Sequence, residues 1–304
     1  MKLHYFKSEN GNFGDDLNPW LWNKLLPFEF DENEDEILYA IGTVLNHKMP
    51  KESVKYIFGS GFGYGEALKV DETWKVYALR GFRTAAKLGL DKRYVITDSA
   101  LLVRNVIEPL EKEIGEVGFM PHHDSVNMAD FENLCREAGI VYISPEESVD
   151  VIFEKLGNCK LLVAEAMHGA IVADALRIPW VPVVCYSHIN EFKWGDWLDT
   201  VEISYNPIRM TAYFNPEWNN DFQKRLKNSM KRALREFNLG KGLFPPPPKR
   251  SSEKLRKQFV EELKAIRNNA KFYLSDEKKQ NMLLGRYREA LDKFICDYRS
   301  KHSD

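Results

Sequence analysis

The chain has 304 residues, long enough for two domains, with 44% hydrophobic residues, 29% charged residues and a net charge of −2, a composition that excludes a disordered or fibrous protein. No apolar run of about 18 residues is present, which argues against a membrane-spanning helix, and the opening MKLHYFKSENGNFGDD lacks the apolar stretch and cleavage site of a signal peptide. Cys135, Cys159, Cys185 and Cys296 show no CxxC spacing and read as reduced core thiols, so the composition points to the cytoplasm.

In chain order, KLHYF predicts a strand, and the SENGNFGDD turn leads into an amphipathic helix over DDLNPWLWNKLL. ILYAIG and VKYIF predict two buried strands, the second running into the glycine-rich FGSGFGYG. KVYALRG is a strand, FRTAAKLGL has helical spacing, and RYVITDSALLV reads as strand again. Strands alternating with helices imply a parallel, doubly wound sheet. A second such unit follows: strand EVGFMPHH, helix MADFENLCREAG, strand IVYIS, helix PEESVDVIFEKLGNC with proline in its first turn, strand KLLVA, a helix with His168 in its first turn and strand WVPVVCYS. Two Rossmann-like domains are therefore expected, at residues 1–110 and 111–215, followed by a helical C-terminal extension over 216–304. The extension contains a long charged helix after Pro216, the four-proline spacer 245–248 and two further helices. Between Gln223 and Lys301 it carries 22 Lys+Arg against 9 Asp+Glu. This excess reads as solvated helix faces, or as a contact with an anionic membrane. No aromatic-basic groove or zinc-finger spacing points to nucleic acid.

In open parallel sheets, ligands bind beyond the carboxyl ends of the strands, and four sequence sites fall there. In NGNFGDDLN, Gly11 and Gly14 permit a tight turn, and Asp15 or Asp16 is placed to cap the helix or to take a proton from a sugar hydroxyl. Gly59, Gly61 and Gly63 form a loop that fits neither the Walker nor the dinucleotide fingerprint; it can offer backbone N–H groups to an anion or simply pack closely. Arg80 stands at a strand end with Arg83 a turn later, suited to a phosphate or carboxylate, or to salt bridges. Asp98 and Ser99, at a further strand end, read as structural. The fourth site is EAMHGA, where His168 falls in the first turn of a helix whose N–H groups favour an anion, and Gly169 lets a ligand approach. His122 and His123 end a neighbouring strand. With neither HExxH nor a cysteine cluster, no metal site is expected.

These residues give the chain a resemblance to the polysaccharide pyruvyl transferase family, over about residues 3–205. NFGDDLN resembles that family's opening motif, FGSGFG its glycine loop, LRGFRTAAKLGL with ITDSALL its arginine and aspartate segments, and EAMHGAIVADALRIPWVPV its histidine-bearing helix. Many relatives carry Arg-x-His, whereas Ala166 precedes Met167-His168 here, and Arg177-Ile178-Pro179 replaces Gly-x-Pro. The anion-gripping role must then pass to another residue, such as Arg80 or Arg177. The resemblance implies a glycosyltransferase-B-like pair of domains around a cleft. It implies phosphoenolpyruvate as donor with no further cofactor, a sugar diol as acceptor, lipid-linked, and a cyclic pyruvate ketal as product. In that reading His168 is phosphate clamp and acid, Arg80 a clamp, and Asp15 or Asp16 the base. The glycine loop and helix N-termini supply backbone donors. A nucleotide-sugar glycosyltransferase and a non-catalytic carbohydrate-binding protein are the alternatives.

Overall fold

The computed structural model describes residues 1–110, 114–218, 230 and 250–302. Two parallel sheets form its frame. The first takes β1 (Lys2–His4), β2 (Glu36–Tyr39), β3 (Val54–Phe58) and β4 (Trp74–Ala78) in that order, with Leu3 opposite Leu38 and Leu38 opposite Tyr56. The second comprises β5 (Glu116–Met120), β6 (Val141–Tyr142), β7 (Cys159–Ala164), β8 (Trp180–Val184) and β9 (Ile208–Arg209), in the order β6-β5-β7-β8-β9. The interior strands are mostly apolar without alternation because helices cover both faces; every residue of β2 and β8 is buried, Glu36 of β2 included.

Around the first sheet lie α1 (Phe13–Leu25) and α2 (Phe82–Leu88); around the second lie α3 (Phe131–Ala138), α4 (Val149–Leu156), α5 (Met167–Ala175) and α6 (Glu191–Leu198). Gly89 (φ 65°) and Gly139 (φ 67°) end α2 and α3 in the left-handed conformation that glycine adopts without strain. Two expectations need correcting. RYVITDSALLV adds no strand: it makes one bridge, Val95 to Leu79, between short 3-10 turns at Lys92–Tyr94 and Ser99–Asn105. The carboxylates of Asp91 and Asp98 accept the N–H groups of Arg93 and Ala100, and these local bonds outcompete the ladder. Nor does Pro145 lie in a helical turn; α4 starts at Val149, and the Pro145 carbonyl accepts the Phe13 N–H at 2.7 Å.

The halves are not independent. One apolar core joins Phe13, Leu17, Leu21 and Trp22 of α1 to Ile152 and Phe153 of α4 and to Ala170 and Ile171 of α5. Of the C-terminal extension, α7 (Glu253–Asn269) packs Phe259, Val260 and Leu263 against Phe131 and Leu134 of α3. The last helix, α8 (Glu277–His302), returns to the first sheet, where Phe294 meets Tyr56, Phe58 and Tyr77. The charged helix and proline spacer expected over 217–248 lie outside the described residues, apart from a 3-10 turn at Pro216–Trp218 and the isolated Met230. No described helix is long and apolar enough to cross a membrane. All four cysteines are free, and Cys296 is exposed rather than in the core.

A buried ion pair also bridges the halves. Arg80, fully buried, donates Nε to Asp196 of α6 at 2.9 Å, Nη1 to Thr43 and Nη2 to the Phe62 carbonyl, while Asp196 also accepts the Thr84 N–H and hydroxyl. Removing one partner would strand a buried charge, which costs about 3–5 kcal/mol. Asp196→Ala should therefore lower the unfolding free energy by that amount in a denaturant titration.

Candidate functional site

A cleft of about 640 Å³ opens at the carboxyl ends of both sheets. Its walls come from the segments that follow β1, β2, β3, β5, β6, β7 and β8, so it is the crevice that a parallel sheet pair creates by topology. Among the lining residues are Asn12, Gly14, Asp15, Thr43, His122, His123, His168, Gly169, Asn190 and Lys193.

Two buried polar side chains hold these segments in place. Glu165, at the end of β7, accepts the His122 N–H (3.0 Å), the Ser125 hydroxyl (2.6 Å) and the N–H groups of Cys185 (2.8 Å) and Tyr186 (3.3 Å). Its carboxylate thus fastens the turns after β5 and β8 to β7. Asn18 does the same for the first half: its side chain pairs with both the N–H and the carbonyl of Ile41 and donates to the Asp15 carbonyl.

His168 is the second residue of α5. Its ring lies directly on Gly14 of α1, where a Cβ would fall 2.0 Å from Nδ1. Its Nε2 faces Oδ2 of the fully buried Asp98 at 3.6 Å. Asp15 accepts a hydrogen bond from the Asn12 side chain at 2.6 Å. Burial pushes the Asp15 pKa up to about 6, against the opposing pull of His168 and Lys193. His122 is pushed down to about 3, first by burial and then by Lys193, His188, His123 and His168, so its imidazole is neutral at pH 7. The stem of Lys193 runs past Gly63, and its Nζ sits 4.8 Å over the Tyr64 ring. The lysines on the walls bring positive potential to the cleft. His122, Asp124 and His188 could bring three ligand atoms within 4.8 Å of one another.

Gly14, Asp15, His122, His168 and Gly169 thus meet at the cleft, and several other expected residues do not. Arg80 is spent on Asp196 and cannot clamp a ligand. Asp16 accepts the Asn12 N–H at 2.8 Å and is not among the residues that line the cleft. The glycine loop is filled by protein: a Cβ on Gly59 would meet Ser99 and Tyr287, on Gly61 the Arg80 guanidinium, and on Gly63 Thr43 and Lys193. No open anion cradle is left at Gly59, Gly61 or Gly63. Gly169 does line the cleft, yet the space of its missing Cβ is taken by Met120 Sδ. Arg177 is buried and donates to the Ser275 carbonyl, so it cannot replace the missing arginine either. Lys7, Lys48 and Lys193 also line the cleft, the last of them in the first turn of α6. The strand-to-helix reasoning that singles out His168 after β7 would have found it after β8.

Gly14→Ala would drive a methyl group into the His168 ring. It is expected to cost about 1–3 kcal/mol of stability and to reduce turnover on the order of 10²-fold through misplacement of the ring. Asp15→Asn should separate stability from activity. The folded state keeps the Asp15 proton up to about pH 6, whereas the unfolded chain releases it near 3.8, so the native carboxylate loses stability as pH rises between those values. Asn avoids that cost. The variant should gain on the order of 2 kcal/mol at pH 7, with the gain vanishing below about pH 4 in denaturant titrations, while losing activity.

Comparison with known proteins places the chain. Residues 11–188, more than half of its length, match the family model described as polysaccharide pyruvyl transferase. A similar protein is the succinoglycan biosynthesis protein ExoV of Rhizobium meliloti (strain 1021), 38% identical over 237 residues that span 74% of this chain and 75% of that protein. The matched span includes Asp15, His122 and His168. With its cleft built from motifs at the ends of two parallel sheets, this chain belongs to the polysaccharide pyruvyl transferase family.

Proposed function

We propose that this transferase takes phosphoenolpyruvate as donor and forms a cyclic pyruvate ketal on a sugar diol of a lipid-linked oligosaccharide bound for an exopolysaccharide. The observation that carries this reading is the meeting of His168, Lys193, His122 and Asp15 in one cleft. A small trianion needs positive neighbours, and an attacking hydroxyl needs a base. The fold suits a glycosyltransferase-B-like reading, with donor and acceptor meeting between the halves.

His168 protonates the methylene carbon, C3, and leaves C2 cationic. One sugar hydroxyl bonds to C2 and gives its proton to Asp15. The C2–O bond to phosphate then breaks, and the second hydroxyl closes the ring as its proton passes to the departing phosphate. One donor and one diol thus yield one ketal and one hydrogen phosphate. Lys193 and His123 face the phosphate and carboxylate, and neutral His122 donates a hydrogen bond rather than a charge. The scheme requires no cofactor. The acceptor would bring the protein to the inner face of the membrane from the cytoplasm, with the basic C-terminal helices turned toward anionic lipid.

Phosphate release should require phosphoenolpyruvate and acceptor together, and His168→Ala should abolish it. Because Asp15 must be ionised to accept a proton, kcat/KM should climb as pH rises through about 6. Release of a nucleoside diphosphate from a nucleotide sugar, with phosphoenolpyruvate inert, would overturn the proposal.

A further inference from the structure

We propose that Asp98 is the positioning residue of His168, holding the ring so that Nδ1 is the nitrogen that works in the cleft; this rests on the reading of His168 as the donor-side acid. Asp98 is fully buried, and its two oxygens differ. Oδ1 accepts the Ala100 N–H at 3.0 Å and shapes the turn that follows. Oδ2 has no hydrogen-bond partner among the described residues and points at His168 Nε2, 3.6 Å away. That nitrogen is buried and has no partner either. A carboxylate oxygen left bare in the interior is costly. Two such atoms facing each other a few tenths of an ångström beyond bonding distance form a pair that closes with a small ring movement.

The chemistry of the pair sets the tautomer. A carboxylate only accepts, so Nε2 must carry a hydrogen. Nδ1 then holds the lone pair in the neutral ring and the transferable proton in the imidazolium. Nδ1 is also the atom beside Gly14, at the cleft. The imidazolium is the form that both faces a phosphate dianion and gives up a proton. Other charged or titratable groups line the cleft, among them Asp15 on α1, His122 and His123 after β5, and Lys193 on α6, whereas Asp98 is not one of the lining residues.

The pair also spans the molecule. Asp98 belongs to the first half and His168 to the second, and the turn Ser99–Asn105 packs against α5. A correctly held acid therefore exists only when the halves are docked.

Asp98→Asn tests this with little change of shape. Its amide oxygen can still accept the Ala100 N–H, while its NH2 group donates toward Nε2 and selects the opposite tautomer. Long-range 1H–15N NMR at alkaline pH, with His168 assigned by difference from His168→Gln, should show hydrogen on Nε2 in the wild type and on Nδ1 in the variant. Phosphate release should show kcat reduced about 10²- to 10⁴-fold, with the donor KM and the melting temperature little changed. Hydrogen on Nδ1 in the wild type, the same tautomer in both proteins, or a variant kcat within about threefold of wild type would each overturn the assignment. The NMR measurement needs no turnover. An inactive wild type whose tautomer still switches would sink the transferase reading alone, and an active one whose tautomer does not switch would sink Asp98 alone.

Discussion

The whole site hangs on a contact that only a residue without a Cβ permits. Helix α1 of the first half brings Gly14 against the imidazole that α5 of the second half carries, with no room for even a methyl group between them. That contact fixes the distance between the two halves at their active edge. Behind it the shared apolar core of α1, α4 and α5 supplies the burial that holds the helices together. Beside it the Arg80–Asp196 pair ties α6 to the first sheet. Glu165 and Asn18 then fasten the turns that complete the walls.

Much of this was legible in the residues. Apolar runs separated by helical patterns gave both sheets, because strands covered on both faces must be apolar throughout. His168 is expected at a strand-to-helix junction, and the structure places it there, after β7 and on the wall of the cleft. Arg80 was misread for a physical reason. An arginine at a strand end can grip a ligand or brace the protein, and the choice lies with Asp196, 116 residues away. The glycine loop failed in the same way: the spaces beside Gly59 and Gly61 serve Ser99 and the Arg80 guanidinium. Asp15 and Asp16 are chemically identical neighbours, and only the helix geometry sends one into the cleft and turns the other back onto the Asn12 N–H. The local bonds of Asp91 and Asp98 turned a strand-like stretch into 3-10 turns, which no apolar pattern records.

Charge tells a related story. The basic excess of the C-terminal helices is not simply displayed to solvent. Arg256 pairs with Glu137, Lys279 with Glu202 and Lys301 with Glu36, each reaching from α7 or α8 to a carboxylate of the body. Each such pair is open to solvent on at least one side and contributes little by itself. Together they match a basic extension to an acidic body, so part of the charge asymmetry in the sequence is internal complementarity.

The return of α8 to the first sheet has a consequence for biosynthesis. The first sheet is completed late, because Tyr287 and Phe294, whose rings meet Phe58, are translated after the whole of the second sheet. Until then the apolar face of β3 and β4 lacks its cover, whereas the second sheet and its flanking helices α3 to α6 are already assembled from consecutive sequence. The nascent chain must therefore carry an unfinished first sheet while the second is being made, and a polypeptide cut short before residue 287 would keep an open, sticky sheet.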